Sequence, residues 1–344
     1  MRRLVTSLLV AAVAGIGAVA GIAALRDAPE GDPRSPRAPE AVAPRATAEL
    51  EPLGGSGRFV AVSDRRPPAE LSERSFAMGL LEAAGIAGRI YLSDERCRLR
   101  GYHLPTLDVQ RLPEVRSCAF SLSDDGWLAR GTVVWQRGGS LAAFCQDGAV
   151  EVLTRAGDPY DRFAGCAPAW RPDGMLTYVD AGAVRTWPGS GEIVSGVRLA
   201  EAAGIELAPG RVAVEQIAWL PAGRLVAVLG PTAAREGDVL WYEPDTHAAG
   251  VLARAAEIGE LAASPTGDSV ALRADGAALV VPAGEPGSGS LSLGAVDAFA
   301  WSPDGRWLAV AADSRLTFLP VGHAGTRRPS LGPITARDLA WRAG

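Results

Sequence analysis

The chain has 344 residues and a formal net charge of −5 at pH 7. It carries no basic run, and because nucleic-acid binding takes its affinity from neutralised phosphates, a nucleic-acid partner is disfavoured. The content of 41 glycines and 25 prolines, with short alternating apolar stretches, excludes a solenoid of helix pairs and favours an all-β protein.

An apolar run at the start of the chain predicts export. Residues 4–25 are uncharged, follow Arg2 and Arg3, and are long enough to cross a bilayer as one helix. Because basic residues stay on the cytoplasmic side, the rest of the chain is expected outside the cytoplasm, held at the cell membrane by a single pass. Residues 18–20 also form an A-x-A cleavage pattern, so residues 1–25 are either a membrane anchor or a removed signal sequence.

Residues 26–56 are rich in proline, alanine and charge and too poor in apolar residues to fold, which predicts a disordered linker. The folded domain is expected at 57–344. It begins with a short strand, "RFVAVSD" (58–64), and a helical insertion near 69–85. This helix is expected to pack on the rim of the domain; docking of a partner is the alternative.

Three strands then follow without an opening strand of their own, at 88–95, 97–105 and 107–113. The last residues of the chain, "DLAWRAG" (338–344), form an opening strand after which the sequence stops. Since unpaired strand edges template aggregation, we expect the two ends to complete one sheet, with 58–64 as the alternative neighbour of the last strand.

Between these ends a strand, a tight turn and a second strand recur. In "AFAWSPDGRWLAVAADS" (298–314), large apolar residues alternate with small ones before the turn, and "SPDG" fits a type I turn closed by Gly305. The same frame occurs four more times, at 119–131, 168–179, 217–229 and 261–272, with turn glycines Gly126, Gly174, Gly223 and Gly267. The spacing of roughly 40 to 50 residues is that of a four-stranded propeller blade.

The S-P-D-G turn followed by an apolar strand resembles the WD40-like repeats of TolB-type β-propellers over about residues 87–344. The resemblance implies about six four-stranded blades, closed by N- and C-terminal strands, and the extra strand leaves seven as an alternative. It implies no activity, because propellers host binding proteins and hydrolases alike. The separate α/β domain of TolB-type proteins has no counterpart before the blades, so their role is not carried over.

Export makes the four cysteines candidates for disulfides. The intervals from Cys97 to Cys118 and from Cys145 to Cys166 are equal, and Cys118 and Cys166 precede their turn glycines by the same number of residues. We therefore predict the bonds Cys97–Cys118 and Cys145–Cys166, with free buried thiols as the alternative. The absence of a C-x-x-C pair disfavours zinc.

No catalytic, cofactor or metal residue is predicted. The three histidines, His103, His247 and His323, fall in different repeats without a motif for metal or nucleophilic chemistry. Turn propensity accounts for the acids of the repeat turns, Asp125, Asp173 and Asp304, without calcium. Four tryptophans share one repeat position and are expected in the core: Trp170, Trp219, Trp301 and Trp341.

Two classes of function follow from these patterns. The first is a membrane-tethered extracytoplasmic propeller that binds a protein, peptide or envelope ligand without catalysis. The alternative is a hydrolase or lyase in which carboxylates from different blades meet in the central channel. The positions of acidic residues at the starts of the channel-facing strands would distinguish the two.

Overall fold

The computed structural model describes residues 50–51, 60–61, 73–116, 121–122, 127–128, 133–136, 141–154, 156–189, 191–206, 212–230, 236–267, 269–283, 290–321 and 328–343. The apolar run at 4–25 lies outside these residues, as do Cys118, Gly126 and His323. In the described part of the chain, neither helix is long and apolar enough to cross a membrane.

The elements are almost all strands. The first part of the chain contains β1 (Leu50–Glu51), β2 (Val60–Ala61), α1 (Glu73–Ala83), β3 (Gly88–Ser93), β4 (Arg98–Leu104), β5 (Val109–Arg116), β6 (Ser121–Leu122) and β7 (Trp127–Leu128). The middle contains β8 (Val134–Trp135), β9 (Leu141–Gln146), β10 (Ala149–Thr154), β11 (Pro159–Ala164), β12 (Cys166–Trp170), β13 (Leu176–Asp180), β14 (Ala183–Trp187), β15 (Glu192–Ser195) and α2 (Gly196–Ala202). The last part contains β16 (Val214–Trp219), β17 (Leu225–Leu229), β18 (Gly237–Tyr242), β19 (Ala249–Ala255), β20 (Ile258–Ala263), β21 (Ser269–Ala274), β22 (Ala277–Pro282), β23 (Leu291–Ala295), β24 (Ala298–Trp301), β25 (Trp307–Ala312), β26 (Arg315–Pro320), β27 (Ser330–Gly332) and β28 (Asp338–Arg342).

These strands form six antiparallel sheets of four or five strands. Sheet 1 has the order β1-β5-β4-β3-β28, and sheet 6 has the order β2-β27-β26-β25-β24. Sheets 2 to 5 each take four consecutive strands: β8–β11, β12–β15, β16–β19 and β20–β23. The predicted all-β class and the repeated four-stranded unit are confirmed.

Sheet 1 joins the two ends of the described chain. β28 pairs with β3 along its whole length, from Asp338 opposite Ser93 to Arg342 opposite Arg89. The predicted pairing of "DLAWRAG" with 88–95 is confirmed, whereas the extra strand lies elsewhere: β2 pairs with β27 on the outer edge of sheet 6. Leu50 and Glu51, inside the predicted linker, pair with β5.

The first predicted hairpin differs from the others. Within 119–131, β6 and β7 pair as expected, but they form a separate two-stranded sheet. Sheet 2 begins with β8, which pairs with β9. Trp135, the last residue of β8, occupies the repeat position that the tryptophans hold in sheets 3, 4, 6 and 1.

Apolar clusters lie between successive sheets. They join sheets 2 and 3, 3 and 4, 4 and 5, 5 and 6, and 6 and 1. The helix predicted near 69–85 is α1, and its Ala77 and Leu81 are fully buried in the cluster between sheets 6 and 1. The predicted helix therefore packs against sheets 6 and 1.

Two repeat tryptophans bond directly to the preceding sheet, whereas Trp341 Nε1 donates to Ala87 O at 3.1 Å, beside β3 of its own sheet. Trp170 Nε1 donates to Val134 O at 3.0 Å, and Trp301 Nε1 donates to Ala262 O at 3.0 Å. Val134 and Ala262 hold the same place in their strands, one residue before the repeat position. Trp219 and Trp301 are buried as predicted, whereas Trp170 and Trp341 are half-buried beside their clusters. Trp170 and Trp301 also supply a directional bond between neighbouring sheets.

A threonine relays this bond between sheets 3 and 4. Trp219 Nε1 donates to Thr177 Oγ1 at 2.8 Å, and Thr177 Oγ1 donates to Ala169 O at 2.7 Å. Ala169 precedes Trp170, so the relay ends at the equivalent carbonyl. Thr177 is completely buried, which makes its hydroxyl group indispensable to both partners.

We predict that Thr177→Val lowers the free energy of unfolding by about 1–3 kcal/mol, because it leaves a buried indole N–H and a buried carbonyl without partners. Thr186→Val is the matched control, since Thr186 lies directly opposite Thr177 in sheet 3 and its Oγ1 donates to Gly191 O at 3.3 Å in a solvent-exposed bond. Its cost should stay below about 0.5 kcal/mol. Urea unfolding measures both; equal costs would contradict the relay.

The SPDG turn is tied to the preceding sheet. Asp304 accepts hydrogen bonds from Ser302 Oγ at 2.6 Å and Arg306 Nε at 2.6 Å. Burial alone would raise the pKa of Asp304, but these bonds outweigh it and hold the pKa below its ordinary value. Thr266 Oγ1 in the turn of sheet 5 donates to Asp304 O at 2.6 Å.

We predict that Gly305→Ala destabilises more than Gly223→Ala. Both glycines have positive φ, +65° and +87°, so alanine costs roughly 1–2 kcal/mol at either position. A Cβ on Gly223 meets nothing within 4 Å, whereas one on Gly305 would lie 2.7 Å from Ser264 Oγ and contact Thr266 Oγ1. The displaced Thr266 bond adds about 1 kcal/mol to the cost. Thermal unfolding of the two variants measures the difference, and equal losses would show that the turns do not interlock.

Candidate functional site

Polar side chains recur near the start of the inner strand of three sheets, which is called the first strand here: β16 in sheet 4, β20 in sheet 5 and β28 in sheet 1. Aligning the turns places Gln216, Glu260 and Asp338 at one repeat position, three residues before the position of Trp219, Ala263 and Trp341. The same position holds Ala167 in sheet 3 and Ala298 in sheet 6. Sheets 4, 5 and 1 therefore present hydrogen-bonding or charged groups where sheets 3 and 6 have only methyl groups.

Gln216 and Arg273, a residue near Glu260, each bond to a main-chain carbonyl group of the next sheet. Gln216 Nε2 donates to Gly259 O at 2.7 Å, which joins sheet 4 to sheet 5. Arg273 Nη2 donates to Asp297 O at 2.8 Å, which joins sheet 5 to the start of sheet 6. The β20–β21 register shifts between Ile258 and Leu261, so Glu260 lies within an irregular part of its strand.

Glu260 has an unusual acidity. Burial, followed by the charge of Asp338, raises its pKa to about 7, while the charge of Arg273 acts in the opposite direction. Arg273 Nη2 lies 3.8 Å from Glu260 Oε2. The Glu260 side chain keeps 44 % of its surface accessible, so its carboxyl group is crowded by protein yet open to solvent on one side.

This arrangement can bind and can exchange protons. A carboxyl group with a pKa near neutrality donates or accepts a hydrogen bond according to its partner, and the nearby Asp338 carboxylate favours a cationic ligand group. Among the described residues, no three metal-ligating side chains come together. The chemistry that this site can perform is therefore that of the Glu260 carboxyl group near a second acidic side chain, Asp338.

One of the two predicted disulfides joins neighbouring sheets. Cys145 at the end of β9 is bonded to Cys166 at the start of β12, with Cα atoms 4.9 Å apart, which confirms the predicted bond between sheets 2 and 3. Cys97 is also disulfide-bonded. Its predicted partner, Cys118, lies outside the described residues.

The turn glycines are spread over the sheets as predicted. Gly174, Gly223 and Gly305 have positive φ and close their turns. Gly267 does not have positive φ, and its N–H donates to Ser264 Oγ at 3.2 Å, so that turn closes through a side chain. Gly126 lies outside the described residues.

The two histidines in the described part of the chain lie in different sheets. His103 lies on β4, and burial followed by the nearby Arg89 charge lowers its pKa, against the effect of Asp108. His247 lies in the β18–β19 turn, where Nδ1 is 2.7 Å from Tyr242 Oη. Neither lies on a first strand beside Glu260.

No protein-family model matches this sequence, and a search of curated proteins found no match. Solved structures similar to this chain include TolB from Acinetobacter baumannii, with 14 % identity, 81 % of this chain and 74 % of that chain covered, and a TM-score of 0.46. The hydrazine synthase of Kuenenia stuttgartiensis is 13 % identical, with 65 % and 70 % covered and a TM-score of 0.41. A chain of a mitotic checkpoint complex is 14 % identical, with 73 % and 79 % covered and a TM-score of 0.43.

The repeated four-stranded sheets and their glycine turns define the class as a β-propeller, and the predicted resemblance to TolB-type and WD40-like repeats is confirmed at the level of the fold. At these identities the likeness concerns the fold and leaves activity open.

We predict that the Glu260 carboxyl group makes stability depend on pH. Its folded pKa, about 7, lies above its ordinary value of 4.5, so the folded state binds the proton more tightly and stability falls as pH rises from about 4.5 to about 7. Glu260→Gln should flatten this slope and unfold at a higher temperature than wild type at pH 8. Glu257→Gln, at an exposed position just before β20, is the control and should keep the slope. Thermal unfolding across this pH range decides; a wild-type slope in Glu260→Gln would contradict the assignment.

Proposed function

We propose that this protein is an extracytoplasmic β-propeller, tethered to the cell membrane by residues 4–25 and the linker at 26–56, that binds a protein, peptide or envelope ligand without catalysis. The carrying observation is the recurrence of Gln216, Glu260 and Asp338 at one repeat position in three sheets. One repeat position seen from several sheets forms a continuous surface, which suits recognition of a ligand larger than a single side chain.

The proposal includes a closed ring of six blades. The pairing of β28 with β3 supports closure, as do the apolar clusters between five successive pairs of sheets. Closure would shield the inner strand edges and direct the starts of the first strands towards one channel mouth.

The extracytoplasmic location is supported by covalent chemistry. The Cys145–Cys166 bond joins two sheets, and Cys97 is bonded as well. Disulfides persist in oxidising compartments and are rare in reducing ones, so these bonds agree with the export predicted from residues 1–25.

Catalysis is the second candidate, and the acidity of Glu260 favours it. A carboxyl group with a pKa of about 7, raised in part by a second acidic side chain, Asp338, is the pairing that general acid and base chemistry uses. Binding ranks first because Arg273 and Gln216 are anchored to main-chain carbonyls of adjacent sheets, which builds a fixed wall around the carboxyl group.

The test is site-specific photocrosslinking of the full chain in intact cells, followed by recovery of adducts from salt-washed membranes. A photoreactive residue at Gln216 should yield adducts, whereas one at Arg306, exposed in the turn beyond the far end of β24, should not. Glu260→Gln should abolish the adducts if the carboxyl group binds the ligand.

The remaining outcomes separate the alternatives. Adducts that increase in Glu260→Gln would indicate a trapped substrate and favour the enzyme. Equal adducts at both positions would contradict the proposed surface. If the chain washes free of the membranes, the proposed tether is wrong. The binding surface is then tested by the crosslinked adducts alone.

A further inference from the structure

A row of basic side chains crosses sheet 1. Arg342 on β28 lies directly opposite Arg89 on β3, which lies directly opposite His103 on β4. Directly opposed residues of an antiparallel pair have Cβ atoms about 4.5–5.5 Å apart, and like charges in that position destabilise the sheet. Sheet 1 thus contains a pair of guanidinium groups that works against its own stability.

Neither guanidinium group is neutralised in the described part of the chain. The side chains of Arg89 and Arg342 form no hydrogen bond or ion pair there, and Arg89 Nε is buried without a partner. Two other arginines on strands have carboxylate partners: Arg254 Nε lies 2.8 Å from Asp238 Oδ1, and Arg98 Nη2 lies 2.6 Å from Asp94 Oδ2. Because burying an unpaired donor is costly, the row requires an explanation that the fold alone does not supply.

The third member of the row, His103, has a pKa below its ordinary value. Burial and the neighbouring Arg89 charge lower the pKa of His103, although Asp108 acts in the opposite direction. All three side chains are half-buried, so each remains within reach of solvent. The row therefore offers two fixed cationic forks and an imidazole ring that can donate or accept a hydrogen bond.

We propose that Arg342, Arg89 and His103 form a binding site for a phosphate group. Guanidinium groups pair with phosphate oxygens through two parallel N–H donors, and a phosphate group can engage both arginines and the imidazole at once. A carboxylate has only two oxygens and is satisfied by one guanidinium fork. A free phosphate compound and a phospholipid headgroup share this chemistry. The site lies at the opposite end of β28 from Asp338 and goes beyond the ligand proposed above.

The experiment uses the full chain in an uncharged detergent. Inorganic phosphate and glycerophosphoglycerol, a phosphodiester headgroup, are added separately, with sodium chloride at matched ionic strength as the reference. Wild type should unfold at a higher temperature with at least one of the two phosphate probes than with the salt. The imidazole resonances of His103 should shift during the same titration.

The variants Arg89→Gln and Arg342→Gln should each bind the phosphate probe about tenfold more weakly or worse, because a charge-assisted bond is lost. Each should also unfold at a higher temperature than wild type without the probe, since the like-charge pair is relieved. Arg315→Gln is the matched control: Arg315 is exposed on β26 opposite Ala312 and should leave both quantities unchanged.

The outcomes decide whether the site binds phosphate and which kind of phosphate compound occupies it. Binding of glycerophosphoglycerol alone points to a lipid headgroup, and binding of inorganic phosphate alone points to a free phosphate compound. Phosphate effects equal to those of sodium chloride, or equal in wild type and both arginine variants, would overturn the proposal. If the variants do not fold, unshifted His103 resonances in wild type overturn it and shifted ones support it.

Discussion

The hydrogen bond from Trp170, Trp219 or Trp301 towards the preceding sheet is the constraint that sets the height of sheets 3, 4 and 6. The indole rings of Trp170 and Trp301 pack between two sheets, and each N–H donates to the carbonyl group at the equivalent height of the neighbouring first strand. Apolar packing alone tolerates sliding, whereas this bond does not. The Thr177 relay shows how strictly the height is kept: where the indole group does not meet the carbonyl directly, a buried hydroxyl group bridges the two.

Fixing the tryptophan also fixes every other residue of its strand. Alternate residues of a strand point to opposite sides, so a tryptophan that faces the preceding sheet makes the residue three positions earlier face the following one. Phe299 and Trp301 accordingly belong to the cluster between sheets 5 and 6, and Ala298 belongs to the cluster between sheets 6 and 1. Gln216 follows this alternation, since its Nε2 bonds Gly259 O of the following sheet. Glu260 lies 3.8 Å from Arg273, whose Nη2 bonds Asp297 O at the start of the following sheet.

The fold was predictable because its signals are local. The turn at Ser302–Gly305 and the alternation around Trp301 lie within a few residues, and each repetition of the pattern strengthens the prediction of a propeller blade. The site was less predictable, since the acidity of Glu260 depends on Asp338 in another sheet and on burial that no local pattern reveals. A signal did exist: aligning the repeats on their turns places polar residues where others have alanine. The hairpin at 119–131 shows the limit, because Trp135 carries the repeat position without an S-P-D-G turn.

One strand, β28, connects the carboxylate group and the phosphate site, and its geometry keeps them electrostatically separate. Asp338 and Arg342 are the first and last residues of β28 and point to the same side of sheet 1. Four residues of extended chain separate them by about 13 Å, which exceeds the Debye length of about 8 Å at physiological salt. Screening therefore makes the charge of Asp338 a local influence on Glu260 and leaves Arg342 to respond to Arg89. The same short strand that joins the ends of the described chain can thus carry opposite charges at its two ends without either neutralising the other.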